Sequence, residues 1–288
     1  QRAPGAGRAD GDPVRAVRGR GPAGQPRFDH AVAPGGYLWW YLDALSDDGQ
    51  HGLSLIAFVG SVFSPYYARA RRQGHGEPEN HVALNVALYS PGAGRWSMTE
   101  RGSRHCRREA DRFTIGPSQL HWDGQGLTIT IDEVGVPLPR RIRGTVRVVP
   151  EQLFLFSTDL DSRGRHHWGP IAPRARVEVD LQQPALRWSG HAYLDSNEGS
   201  EPVERAFREW DWSRCQLTDG STAVIYDVGD RAWPGRVFVL RFSPDGSVTF
   251  FEPPARQARW TRKNGSRCPV CCRRWARSCG RAGIAGRA

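Results

Sequence analysis

Short apolar runs separated by turn residues fill the chain between residues 28 and 254. Gly35-Gly36 leads into Tyr37-Leu-Trp-Trp-Tyr-Leu42, an aromatic-rich stretch suited to a strand. Asp47-Asp48-Gly49 reads as a turn, and Leu53–Val62 as a central strand, apolar on both faces. Pro65 should end that strand, and residues 69–80 read as a polar loop. His81–Tyr89 and Arg95–Glu100 form a hairpin around Pro91-Gly92. Further on the period is two: Leu127, Ile129 and Ile131 alternate with Thr128, Thr130 and Asp132, so one face is buried. Ile142–Val149 and Val177–Leu181 alternate in the same way. Ala223–Val228, Val237–Phe242 and Val248–Phe251 complete the series, the last two joined by Pro244-Asp245-Gly246.

One segment carries a helical period. Pro202 suits a first helical position, and Val203, Phe207 and Trp210 fall at i, i+4 and i+7. The expected fold class is therefore all-β, mostly antiparallel, as a barrel or sandwich, with one short helix near 202–212. Val136-Pro-Leu-Pro139 marks the passage between two β halves, 28–139 and 140–254.

Charge changes this picture only at the ends. The 288 residues carry a net +10, which alone would suggest a nucleic-acid binder. Residues 1–27 hold six Arg against two Asp, and residues 255–288 hold nine Arg and Lys263 with no acid. The stretch 28–254 is left mildly acidic. Both ends lack a hydrophobic period and are expected to be disordered basic tails. No run approaches the 18 or so apolar residues of a membrane span, and no apolar segment follows the N-terminal arginines as in a signal peptide. Cys106 and Cys215 are isolated and read as free thiols, and Cys268-Pro-Val-Cys271 is a single CxxC without a second ligand pair. This pattern fits a reducing cytoplasm.

Several chemistries find no support. The only Lys lies in the C-terminal tail, so there is no Walker lysine; no GxGxxG opens a helix after a strand, and HExxH and GxSxG do not occur. No nucleotide, nicotinamide or metal cofactor is expected. What stands out is Arg165-His-His-Trp-Gly-Pro-Ile-Ala-Pro173, followed by Arg187-Trp-Ser-Gly-His-Ala-Tyr-Leu-Asp-Ser-Asn-Glu-Gly199. On extended chain, His166 shares a face with Trp168, and Tyr193 with Asp195 and His191. From spacing alone, Trp168 and Tyr193 read equally well as core aromatics, and Asp195 as the start of a turn.

The runs Ala33–Leu45, Ile56–Tyr67, Pro78–His81, Ala83–Tyr89, Met98–Gly102, Pro170–Pro173, Trp188–Gly190 and Arg205–Arg214 resemble the carotenoid 1,2-hydratase (hydroxyneurosporene synthase) family. The resemblance covers roughly 28–254 and fails in both tails. It implies two lipocalin-like β halves and a cofactor-independent hydro-lyase. The reaction would be hydration of the terminal 1,2 double bond of an acyclic carotenoid such as neurosporene or lycopene. It further implies a functional set of His166, Trp168, Tyr193 and Asp195. Asp195 would be the proton donor and would need a desolvated site to stay protonated near neutral pH. His166 would reload the proton or activate water, and Trp168 and Tyr193 would face the carbocation with their rings. If Asp195 is not the acid, Asp227, after Tyr226 in an apolar strand, is the next candidate. The substrate's solubility implies peripheral contact with membrane lipid, on the cytoplasmic side of a photosynthetic inner membrane.

Two other classes compete. A non-catalytic lipocalin-like carrier of an apolar ligand would use the same aromatic barrel without a buried carboxyl at the ligand's end. A nucleic-acid binder rests on net charge alone, and the acidic 28–254 stretch argues against it.

Overall fold

The computed structural model describes residues 19–231 and 235–252, and the backbone of 283–287. Nine strands come first: β1 (Tyr37–Ser46), β2 (Gly52–Val59), β3 (Val82–Tyr89), β4 (Arg95–Arg101), β5 (Cys106–Arg108), β6 (Arg112–Ile115), β7 (Ser118–Trp122), β8 (Leu127–Val134) and β9 (Arg141–Pro150). Then come β10 (Thr158–Asp159) and two long strands, β11 (His166–Gln183) and β12 (Leu186–Gly199). The series ends with β13 (Phe207–Gln216), β14 (Thr222–Asp230), β15 (Arg236–Phe242), β16 (Val248–Phe250) and β17 (Gly283–Arg287). The fold is all-β and antiparallel, as the alternation predicts.

The strands form two sheets. A 12-stranded sheet runs β4-β3-β2-β1-β12-β11-β9-β8-β7-β6-β5, with β10 paired to β11. A 5-stranded sheet runs β16-β15-β14-β13-β17. The large sheet curls on itself, as twisted antiparallel sheets of this width tend to do. Across the gap the Val136 N–H, just past β8, donates to the Trp96 carbonyl of β4 at 2.8 Å. Arg101 of β4 forms a two-pronged pair with buried Glu133 of β8. The enclosed core takes one set of alternate residues: Leu38, Trp40 and Leu42 of β1, Leu53 and Leu55 of β2, Ile129 and Ile131 of β8, Val177 and Val179 of β11.

The other set on β1, β12 and β11 faces the second sheet. Tyr37 and Trp39, Tyr193, and Trp168 pack there against Phe207 and Trp212 of β13, Tyr226 and Val228 of β14, and Phe238, Leu240 and Phe242 of β15. The central strands thus serve two cores at once, which is why β1 is buried along almost its whole length.

The structure refines the sequence reading at several points. The helix placed near 202–212 is a single turn, α2 (Val203–Ala206), and Phe207 already begins β13. Its Phe and Trp residues favour a strand, and pairing with β14 satisfies the backbone. A helix missed in the sequence, α1 (Pro65–Arg72), occupies part of the expected polar loop. Ser64 caps it through Oγ, which accepts the Tyr67 N–H at 2.9 Å, and Pro65 sits at its start. β9, β11 and β12 join the same hydrogen-bonded sheet as β1–β8. The tails are not wholly outside the fold. Arg20, in the expected 1–27 tail, is buried, and β17, in the expected 255–288 tail, pairs with β13. The rest of both tails lies outside the described residues. Cys106 is a free thiol, whereas Cys215 is disulfide-bonded rather than free.

Candidate active site

The antiparallel registers of β1, β12 and β11 set three rows across the outer face of the large sheet. Tyr37, Gly199 and His166 form the first row. Trp39, Asn197 and Trp168 form the second, and Tyr41, Asp195 and Pro170 the third. Asp195 is 2% exposed and lies between the two sheets. Trp168 Nε1–H donates to its Oδ2 at 2.8 Å, and Tyr193 O–H donates to the same oxygen at 2.9 Å. Oδ1 has one weak contact, the Asn197 amide at 3.4 Å. Burial is the main influence on this carboxyl and pushes it up to about 7; the donors from Trp168 and Tyr193 oppose that rise.

Aromatic rings surround the carboxyl. Tyr226 lies 5.3 Å from Trp168, and Trp212 lies 5.0 Å from Tyr193 and 5.4 Å from Tyr41, between ring centroids. Burial also raises the Tyr193 hydroxyl far above its ordinary value, so it remains a neutral donor. Tyr226 donates its hydroxyl to Asn197 Oδ1 at 3.4 Å, which joins β14 to β12.

His166 is placed elsewhere. It is fully buried in the first row, with Nδ1 2.8 Å from the Tyr37 hydroxyl and its ring 4.8 Å from that of Phe207. Nε2 faces Glu201 Oε1 at 3.7 Å, beyond hydrogen-bond range. Burial depresses its basicity, so the ring is held neutral. Four strand residues separate its row from that of Asp195, roughly 13 Å at the usual rise. The structure therefore brings together Asp195, Trp168 and Tyr193, and sets His166 two rows away. Asp227 pairs with Asp211 of β13 and is not part of the Asp195 cluster.

Gly199 makes the His166 station possible. A Cβ there would sit 2.4 Å from Tyr37 Cε1 and 2.7 Å from His166 Nδ1, so only glycine lets the two side chains meet across β12. Asp161 fixes the approach to β11, accepting the N–H groups of Arg165 and His166 at 2.9 Å each.

Three charged residues escaped the sequence reading. Asp43 on β1 is fully buried and pairs with Arg214 of β13, whose Nε donates at 2.7 Å and whose second nitrogen closes the pair. The Arg214 guanidinium lies 5.6 Å from the Tyr193 ring centre. Arg20 approaches from the opposite face of the sheet. It donates to the carbonyls of Phe154, Phe156 and Pro170 at 3.1, 2.8 and 3.1 Å. A Cβ at Gly169 would lie 1.5 Å from the Arg20 guanidinium, so this glycine makes room for it. The signal for Asp43 and Arg214 was present: a charge inside an apolar strand needs a partner.

Among the described residues, no three His, Cys, Asp or Glu side chains come together as a metal-binding set. No helix among them is long and apolar enough to cross a membrane.

The family described as Carotenoid hydratase CrtC matches residues 55–272. An acyclic carotenoid 1,2-hydratase of Rubrivivax gelatinosus is 63% identical over 236 residues, covering 81% of this chain and 58% of that protein. One from Thiocapsa roseopersicina is 53% identical over 273 residues, covering 93% of this chain and 67% of its own length. The chain thus spans about three fifths to two thirds of these relatives. A crystal structure of an AttH protein from Nitrosomonas europaea shares the fold, with a TM-score of 0.58 at 16% identity over 81% of this chain and 75% of that one.

Proposed function

The chain belongs to the carotenoid hydratase family, and from that premise we propose that it adds water across the terminal 1,2 double bond of an acyclic carotenoid, giving a tertiary alcohol at C-1. The observation that carries this reading is Asp195: a buried carboxyl, raised to about 7, set among aromatic rings. An isolated trisubstituted alkene is a very weak base and requires a neutral acid at close range. With Trp168 and Tyr193 both donating to Oδ2, the acidic proton belongs on Oδ1, the oxygen left without a strong partner.

The cycle closes on one carboxyl. Asp195 gives its proton to C-2, and the π electrons form the new C–H bond, leaving a tertiary cation at C-1. Water attacks C-1, and the resulting oxonium returns a proton to the Asp195 carboxylate. The rings of Trp168, Tyr193 and Trp212 can each stabilise the cation by about 0.5–2 kcal/mol. Arg214 would oppose a cation beside Tyr193 were it not neutralised by Asp43. No step needs His166, whose separation from Asp195 supports a positioning role: it holds Tyr37 and the ends of β11 and β12 in register.

Such a substrate is dissolved in lipid, so the protein would work in peripheral contact with a membrane. The test is incubation with lycopene in detergent and isotopically labelled water. The expected product carries solvent oxygen at C-1 and, in heavy water, deuterium at C-2, with activity surviving chelation and dialysis. Lycopene that binds and returns unchanged would instead favour the carrier reading.

A further inference from the structure

A row of side chains runs from Asp195 to the surface. Asp195 is opposite Tyr41, Tyr41 opposite Ile56, Ile56 opposite Asn85, and Asn85 opposite Met98. All five lie on the face turned away from the enclosed core, because the alternate residues Leu42, Leu55, Val86 and Leu84 fill that core. From β12 to β4 the row crosses four strand spacings, roughly 19 Å.

Its exposure is graded. Asp195 is buried, Tyr41, Ile56, Asn85 and Met98 are half-buried, and Trp96, two residues beyond Met98, is 46% exposed. Tyr41, Ile56 and Met98 pack against the aromatic core that surrounds Asp195. No ionisable carboxylate or cation stands in the row between Asp195 and Met98. Its one amide is occupied, since Trp96 Nε1–H donates to Asn85 Oδ1 at 2.8 Å. At the outer end the row meets a surface cavity of about 470 Å³, whose lining includes Ala87, Tyr89, Trp96, Val136 and Leu138 together with Arg95 and Arg140. Tyr89 and Leu138 are mostly exposed.

An uncharged row that is wet at one end and ends on a buried acid fits one ligand shape: a long, slender apolar rod inserted end first. We propose that this row across β1–β4 is the track that holds the hydrocarbon chain of an acyclic polyene, with its terminal double bond at Asp195 and its remainder leaving past Trp96 into lipid or detergent. The assignment rests on the function proposed above only for the identity of the polyene. Strand β13, through Trp212 on Tyr41 and Tyr193, roofs the inner end of the track.

Equilibrium binding of detergent-dispersed lycopene, read by quenching of tryptophan fluorescence, tests the track separately from catalysis. The full chain is compared with Ile56→Lys, Met98→Lys and, as control, Thr145→Lys on exposed β9. Ile56→Lys and Met98→Lys should each weaken binding at least tenfold with the circular dichroism unchanged, and Thr145→Lys should bind as the parent does. If Ile56→Lys fails to fold, half-buried Met98→Lys decides alone. Equal binding by Met98→Lys, Thr145→Lys and parent overturns the track. A parent that binds lycopene through Met98 but never hydrates it leaves the track standing and overturns the hydratase reading instead.

Discussion

At the scale of single residues, Asp195 is asked to be two things, a stable buried group and a strong enough acid. Both follow from its proton. A carboxyl raised to about 7 holds a proton in the folded chain between about pH 4 and 7 that the unfolded chain has lost. Folding stability therefore falls as pH rises through that window, by on the order of 4 kcal/mol from this group, and is flat above it. Asp195→Asn keeps the shape and still accepts from Trp168 and Tyr193, but cannot ionise. Its melting temperature should exceed that of the parent at pH 8 and roughly match it at pH 5. Hydration should drop by at least about 10⁴-fold, the upper end for a general acid, while lycopene still binds. In the parent, turnover should decline about tenfold per pH unit above about 7, where Asp195 is ionised. A rate that holds level to pH 9 would show that another group is the acid.

At the scale of strands, the site depends on the alignment of three central strands, β1, β12 and β11. The aromatic content of Tyr37–Leu42 made β1 legible in the sequence, and a spacing of two placed Tyr193 and Asp195 on one face of an extended chain, although β12 itself was not read as a strand. Which strands lie side by side was not legible, since Asp43 and Arg214 meet across 171 residues. The grouping of His166 with Asp195 came from the resemblance, and a spacing of two gives a common face, not a common row. The helix read into 203–210 shows how three apolar positions fit either period when the segment is aromatic. Gly199 tests the alignment. An alanine there must push Tyr37 and His166 apart, so Gly199→Ala should cost about 1–3 kcal/mol of stability, as overpacking usually does. Urea unfolding measures that loss. Because Asp195 keeps both donors, the pH at which the Gly199→Ala rate declines should stay where it is in the parent. A shifted decline would mean that the first row acts on the acid directly. His166→Ala should likewise be milder than Asp195→Asn.

At the scale of the whole molecule, the question is what holds β11 in place behind the acid. Residues 19–27 look like a featureless basic tail, yet Arg20 threads past Gly169 and donates to the carbonyl of Pro170, the residue opposite Asp195. Burial lowers its basicity to about 10, and the neighbouring carboxylates of Asp195 and Glu198 partly offset that. The arginine remains a cation at neutral pH, close enough to pull the Asp195 carboxyl down. A chain begun at residue 28 loses this brace, so it should be less stable than one begun at residue 19. Arg20→Met isolates the effect, because methionine fills much of the volume and donates nothing. Three carbonyls then lose a donor, and unfolding in urea should reveal a loss of about 1–3 kcal/mol or more. The activity should change in the opposite sense to a simple structural defect. Without the neighbouring cation Asp195 binds its proton more tightly, so the pH at which turnover declines should move upward. A chain that loses stability with no movement of that decline would make Arg20 a structural brace and nothing more. An upward shift would mean that the N-terminal segment sets the pH range over which the acid works.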